Sequence, residues 1–244
     1  MSPSVYGDTR TRRRERLDVQ TTLRYKVHMN SPTPPPTADE PLASPDEALA
    51  LIREQQRSVT ERTLGGVPWI LVMWAISWGI GFLALWSGYE GGNPWFQIPF
   101  VVAAWVFGVL LVAAIVVSAV IGARIGRGVR GASAFGGVVY GVSWSVSALS
   151  VYLIGAAIVR AGADASLMSL YFPAAFALVA GLIYFMGAAL WRSIDQLVLG
   201  AIIIVTGTAA PFFGAPTNNL VMAVLGGGSF LIAAIVMRVN LRRR

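Results

Sequence analysis

After Thr63 the chain becomes a succession of long apolar runs separated by brief polar breaks. Five stretches without a charged side chain follow one another, of 27, 33, 29, 27 and 42 residues. Each exceeds the roughly 18 to 20 apolar residues that carry a helix across a bilayer. The longest holds two helices, because Pro211, Gly214, Pro216, Asn218 and Asn219 place turn residues in its middle. The pattern predicts six spans at about 67–87, 96–121, 135–159, 167–190, 195–213 and 218–238. The expected fold class is all-α: a polytopic bundle of six transmembrane helices preceded by a cytoplasmic amphipathic helix.

The first 62 residues read differently. A run of Arg10, Arg12, Arg13, Arg14 and Arg16 is followed by a proline-rich segment with Pro32, Pro34, Pro35, Pro36, Pro41 and Pro45. No apolar region follows soon enough for a twin-arginine export signal, so residues 1–43 are expected to be a disordered basic tail and linker. A start at Met29 would remove the basic arm. Ser44, Pro45 and Glu47 then form a capping box with proline at the first helical position. The helix they open is expected to run over 44–64, with Ala48, Leu51, Ile52 and Val59 on one side and Arg53, Glu54, Arg57, Glu61 and Arg62 on the other. It suits a solvated juxtamembrane helix or a partner-docking one. Gly65 and Gly66 allow a bend before Pro68 opens the first span. The remaining parts are a transmembrane domain over 65–238 and a basic tail over 239–244.

Composition sharpens this division. The chain is 55% hydrophobic and 13% charged, against about a quarter charged for soluble domains. Nine of the twelve acidic residues precede Thr63, and the five long charge-free stretches beyond it rule out a soluble globular enzyme. There is no cysteine, and the single histidine, His28, lies in the tail. Disulfides, iron–sulfur clusters, structural zinc and histidine-ligated haem therefore lack their ligands, and no cofactor is expected. Lys26 is the only lysine among nineteen basic residues, a bias that matches a GC-rich bacterial genome.

The net charge of +7 does not form a nucleic-acid stripe. It is distributed as an orientation signal. With the N-terminus inside, the cytoplasmic side receives Arg53, Arg57, Arg62, Arg124, Arg127, Arg130, Arg192, Arg238, Arg242, Arg243 and Arg244, while Arg160 alone lies on the other. Eleven against one fits the positive-inside rule, with both termini cytoplasmic in a bacterial inner membrane. Trp69, Trp86, Trp95 and Trp191 fall near the expected interfaces.

Several constellations bear on function. Gly126, Gly128 and Gly131 match G-x-G-x-x-G, but they join two spans and follow no strand, so the dinucleotide reading fails. Arg124, Arg127 and Arg130 of the same loop suit anionic headgroups or a docked cytoplasmic partner. In the third span Tyr140, Ser143, Ser147 and Ser150 recur at spacings of three, four and three, on one helix face. Packing through small residues is the favoured reading, and a polar pathway the alternative. Gly226, Gly227, Gly228 and Ser229 lie near the middle of the sixth span. Close helix contact is again favoured, with a broken helix at a midplane binding site as the alternative. Pro173 and Pro211 are candidate kinks, and Arg192 and Asp195 are spaced to pair on one helix face. No ionisable residue lies well inside a span, which argues against proton coupling; no catalytic residue is identified and an enzyme is not expected. Aligning 75–86 with 141–152 gives three identities in twelve, close to chance in so apolar a chain, and no repeat is drawn from it.

The capped EALALIREQQ segment followed by PWILVMWAISWGIGFLALW resembles uncharacterised six-span membrane proteins of GC-rich bacteria. That resemblance implies location and topology alone. The size, span number and entry helix also look like permease subunits of ABC-2-type exporters, which dock a separate ATPase. The turn at Gly214 to Asn219 departs from that family, being too short for its re-entrant helices. The leading expectation is a transport or transport-accessory component, with the lipid bilayer, a cytoplasmic ATPase or regulator and further copies of the chain as partners, and no nucleic acid. The competing one is a non-transporting signalling or structural membrane protein whose cytoplasmic helix binds a regulator.

Overall fold

The computed structural model describes residues 44, 46, 48–55, 65–127 and 132–243. Residues 48–55 are helical, and Ala48 N–H donates to the Ser44 carbonyl at 2.9 Å. Pro45, Glu47 and the continuation to Leu64 lie outside the described residues, as do the basic arm and the proline-rich linker.

Most of the rest of the described chain is helical. The helices are α1 (Val67–Gly88), α2 (Phe100–Ile125), α3 (Ala132–Arg160), α4 (Ala165–Trp191) and α5 (Ile194–Ala209), then short α6 (Thr217–Val221) and α7 (Gly228–Arg243). A 3-10 turn, Ala210–Phe213, extends α5 into a fifth span, Ile194–Phe213. A π-helical segment, Met222–Gly227, joins α6 to α7 in a sixth, Thr217–Arg242. Among the described residues six helices are therefore long and apolar enough to cross a membrane.

Local chemistry sets their ends. Pro68 occupies the first turn of α1, where its missing N–H has no partner to lose. Span two begins at Phe100, four residues later than the pattern predicts. Ile98 N–H turns back to the Ser87 carbonyl at 3.1 Å, and Pro99 caps the helix. Asp164 caps α4 and Ser193 caps α5, each accepting a backbone N–H from its helix. Between them Arg192 takes a left-handed φ of 51°, so Arg192 and Asp195 belong to different helices and do not share a helix face. Gly214, with φ 68°, turns the chain between spans five and six.

α1 packs against α2, α6, the π segment and α7; α4 packs against α3 and α5; and α5 packs against the π segment and α7. The core gathers Leu71, Trp78, Phe82, Tyr184, Leu199, Ile203, Met222 and Phe230. α4 and α5 meet almost backbone to backbone, since a Cβ on Gly181 would lie 2.7 Å from the Gly200 carbonyl. Small residues at such crossings let dispersion replace the hydrophobic drive that lipid removes. The periphery is inverted relative to a soluble protein. Val109, Val112, Ile115, Val142, Leu153 and Val205 are all exposed, a surface that only hydrocarbon solvates at low cost. Trp74 ties α1 to α2 by donating its indole N–H to Ser118 Oγ at 3.0 Å.

Candidate functional site

The glycine run of the sixth span sits where the helix departs from α geometry. Three glycines lower α-helix propensity by about 1 kcal/mol each, and Gly226 and Gly227 end the π segment. A Cβ on Gly227 would lie 2.7 Å from the backbone nitrogen of Gly79, and one on Gly226 would lie 2.6 Å from the Trp78 ring. α1 therefore presses its backbone and its buried indole into two of the glycines. Gly228 has open space where its Cβ would be. Ser229 Oγ donates to the Gly226 carbonyl at 2.7 Å.

Phe230, next in sequence, is the hub of an aromatic relay. Its ring centroid lies 5.3 Å from Trp78, 6.1 Å from Tyr184 and 6.3 Å from Trp74. Tyr184 continues to Trp144 at 5.8 Å, Trp144 to Tyr140 at 6.1 Å, and Tyr140 to Trp191 at 4.8 Å. Most of these pairs are edge-to-face, an arrangement worth about 0.5–1.5 kcal/mol beyond burial. Tyr140 thus belongs to a packed aromatic chain. Of the serines on its face, Ser143 donates to the Val139 carbonyl at 2.8 Å and Ser150 to the Val146 carbonyl at 2.9 Å, while Ser147 is half-buried. Two of the three hydroxyls thus turn to their own helix. Gln196 fills the place a Cβ on Gly187 would take, beside Tyr140 and Trp191, and its Oε1 is buried without a partner among the described residues.

A polar cluster at one end of the bundle was not singled out from sequence, although its residues were read as turn formers. Asn218 and Asn219 are 1% and 2% exposed. Asn218 Nδ2 donates to the Ser169 carbonyl at 2.8 Å, and Asn219 Nδ2 approaches Asn218 Oδ1 at 3.4 Å. The signal was present: Pro173 stands four residues after Ser169 and has no N–H for that carbonyl. Nearby, burial pushes the Tyr89 phenol above its ordinary range, offset in part by a hydrogen bond with the Ser169 side chain. Asn93 Nδ2 donates to Ser87 Oγ at 2.9 Å.

The basic positions lie at helix ends. Arg124 is exposed in the last turn of α2, Arg127 is exposed just beyond it, and Arg130 is outside the described residues. Arg238 holds its guanidinium 5.3 Å from the Trp69 ring centroid, linking the end of the sixth span to the start of the first.

Among the described residues no group of three His, Cys, Asp or Glu gathers as a metal site. Among the described residues the buried polar groups of the bundle are hydroxyls, amides and backbone carbonyls, packed beside aromatic faces, and carry no charge. These features define a multi-pass α-helical membrane protein. In comparisons with known proteins, no family model, curated protein or solved structure matches the chain.

Proposed function

We propose that the protein is the membrane-embedded component of a transport system in a bacterial cytoplasmic membrane, with both termini cytoplasmic and a soluble partner on that side. The observation that carries this reading is the loss of α geometry over Met222–Gly227, in the interior of the last span and against α1. Helices of transporters depart from regular geometry where they serve a midplane pathway, and π segments recur at functional positions. An uncharged centre fits movement of a solute without a proton relay. The partner would meet the basic connection holding Arg124, Arg127 and Arg130.

Purification in mild detergent followed by identification of bound proteins tests the partner. An ATPase recovered at fixed stoichiometry, and lost when the three arginines are changed to glutamine, supports the reading. Recovery of the chain alone, or retention of the ATPase by the variant, counts against it.

A further inference from the structure

A four-residue pattern occurs twice, three spans apart. α3 carries Gly141-Val142-Ser143-Trp144 and the sixth span carries Gly227-Gly228-Ser229-Phe230, both in the order Gly-x-Ser-aromatic. Each serine donates to a carbonyl one turn back in its own span, Ser143 to Val139 and Ser229 to Gly226. Each aromatic ring then stands edge-on to a ring of another span. Trp144 meets Tyr184 of α4 at 5.8 Å and 83°, and Phe230 meets Trp78 of α1 at 5.3 Å and 75°. Three residues beyond each of those rings comes a glycine, Gly187 after Tyr184 and Gly81 after Trp78. At both, the place of a Cβ is taken by a side chain of the following span, Gln196 from α5 and Phe107 from α2. The correspondence of α1 with α4, α2 with α5, and α3 with the sixth span thus holds in the four-residue pattern and in these ring and side-chain contacts, while its first glycine differs: Gly227 abuts Gly79 of α1, and the Cβ position of Gly141 is open.

The helix packing obeys the same correspondence, with one exception. α1 on α2 matches α4 on α5, and α3 on α4 matches the sixth span on α1. α5, however, packs on the sixth span, whereas α2 and α3 have no comparable interface among the described residues. The faces left apart are suited to meeting. Gly108 and Gly122 on α2, and Gly137 on α3, each have open space at the Cβ position, and glycines on a membrane helix permit close approach of another.

We infer that the chain is an inverted repeat of two three-span halves, 67–160 and 165–243, held in different conformations, and that its cycle exchanges them. Three spans per half is an odd number, so the halves run in opposite directions through the bilayer. Exchange closes α2 onto α3 and parts α5 from the sixth span. The aromatic centre formed by Trp78, Phe230, Tyr184 and Trp144 then faces opposite sides in turn. This supplies the moving part of the transport reading and rests on it for its biological meaning.

The experiment uses the full chain in lipid nanodiscs. Spin labels on p-acetylphenylalanine at Val112 and Leu149, both exposed, report the α2–α3 distance. The absence of native cysteine leaves thiol chemistry for a tether between the fifth and sixth spans, chosen by scanning Thr206 and Ala210 against Met222 and Ala223. Two α2–α3 distances are expected, separated by at least half a helix diameter, about 5 Å. Oxidising the tether is expected to abolish the shorter distance, and reduction to restore it. A single distance, or two distances indifferent to a tether shown to have formed, overturns the exchange. Tether-sensitive distances in a protein that moves no solute would leave the exchange standing and remove the transport reading alone.

Discussion

The side-chain amide of Asn218 donates to the carbonyl of Ser169 at 2.8 Å, and that carbonyl is the one whose partner four residues on is Pro173. The turn after span five therefore repairs a vacancy in the hydrogen-bond ladder of α4. An unsatisfied carbonyl in such surroundings costs about 1–3 kcal/mol. Asn218→Leu is expected to lower stability by that amount in detergent or bicelle unfolding. Pro173→Ala restores a backbone donor, so the same Asn218→Leu change should cost about 0.5–2 kcal/mol less in the Pro173→Ala background. Additive losses would show that the two residues are not coupled through the Ser169 carbonyl.

The three adjacent glycines of the sixth span are expected to respond differently to one methyl group. Gly227→Ala drives a Cβ against the backbone of Gly79, which has no side chain to rotate away, and overpacking of this kind costs about 1–3 kcal/mol. Gly226→Ala meets the buried Trp78 ring and should also destabilise. Gly228→Ala meets nothing and gains helix propensity of up to about 1 kcal/mol. Thermal unfolding of the three variants decides the matter: equal losses would mean that close contact with α1 is not what the run provides.

Orientation is accessible to reporter fusions. A reporter active only outside the cytoplasm should be silent after Gly126 and at the C-terminus, and active at Asn93, Gly162 and Gly214. The reverse pattern would overturn the assignment from arginine distribution, which places only Arg160 outside.

Asp164 gives a pH dependence with a definite sign. The Leu167 N–H and then the Ser166 hydroxyl hold its exposed carboxylate below the ordinary aspartate range. A folded-state value below the unfolded one means that the cap's charge contribution is complete at neutral pH, above the unfolded value. It is lost as pH falls through the folded value. Asp164→Asn keeps an acceptor for the cap and should flatten this acid-side loss. An unchanged acid profile in that variant would assign the loss elsewhere.

Span number and helix class were legible in the sequence because a bilayer imposes length and apolarity on every crossing segment. The start of α1 at Gly66 and Pro68 was legible for the same local reasons that operate in water. The start of span two was not, since Ile98 folds back to Ser87 through a backbone bond that no side-chain pattern announces. Gly226 and Gly227 were legible as a place of close contact, but not their partners, Trp78 and Gly79, which lie nearly 150 positions away. Tyr140 and its serines shared a face as spacing required, yet Tyr140 joined an aromatic chain to Trp191 while Ser143 and Ser150 bonded to their own helix. The Gly-x-Ser-aromatic pattern at Gly141 and Gly227 was not legible as a pair, because four positions in so apolar a chain carry little signal without the ring contacts of Trp144 and Phe230.

A transport pathway through the middle of the bundle requires water to reach Ser143 and Ser229. The chain has no native cysteine, so Ser143→Cys and Ser229→Cys can be probed one at a time with a small, membrane-impermeant thiol reagent in sealed vesicles, beside the lipid-facing control Val112→Cys. Modification of both serine positions, with Val112→Cys unreactive, is the predicted result. Protection of both serine positions under all conditions, in protein that unfolding then makes fully reactive, would contradict it.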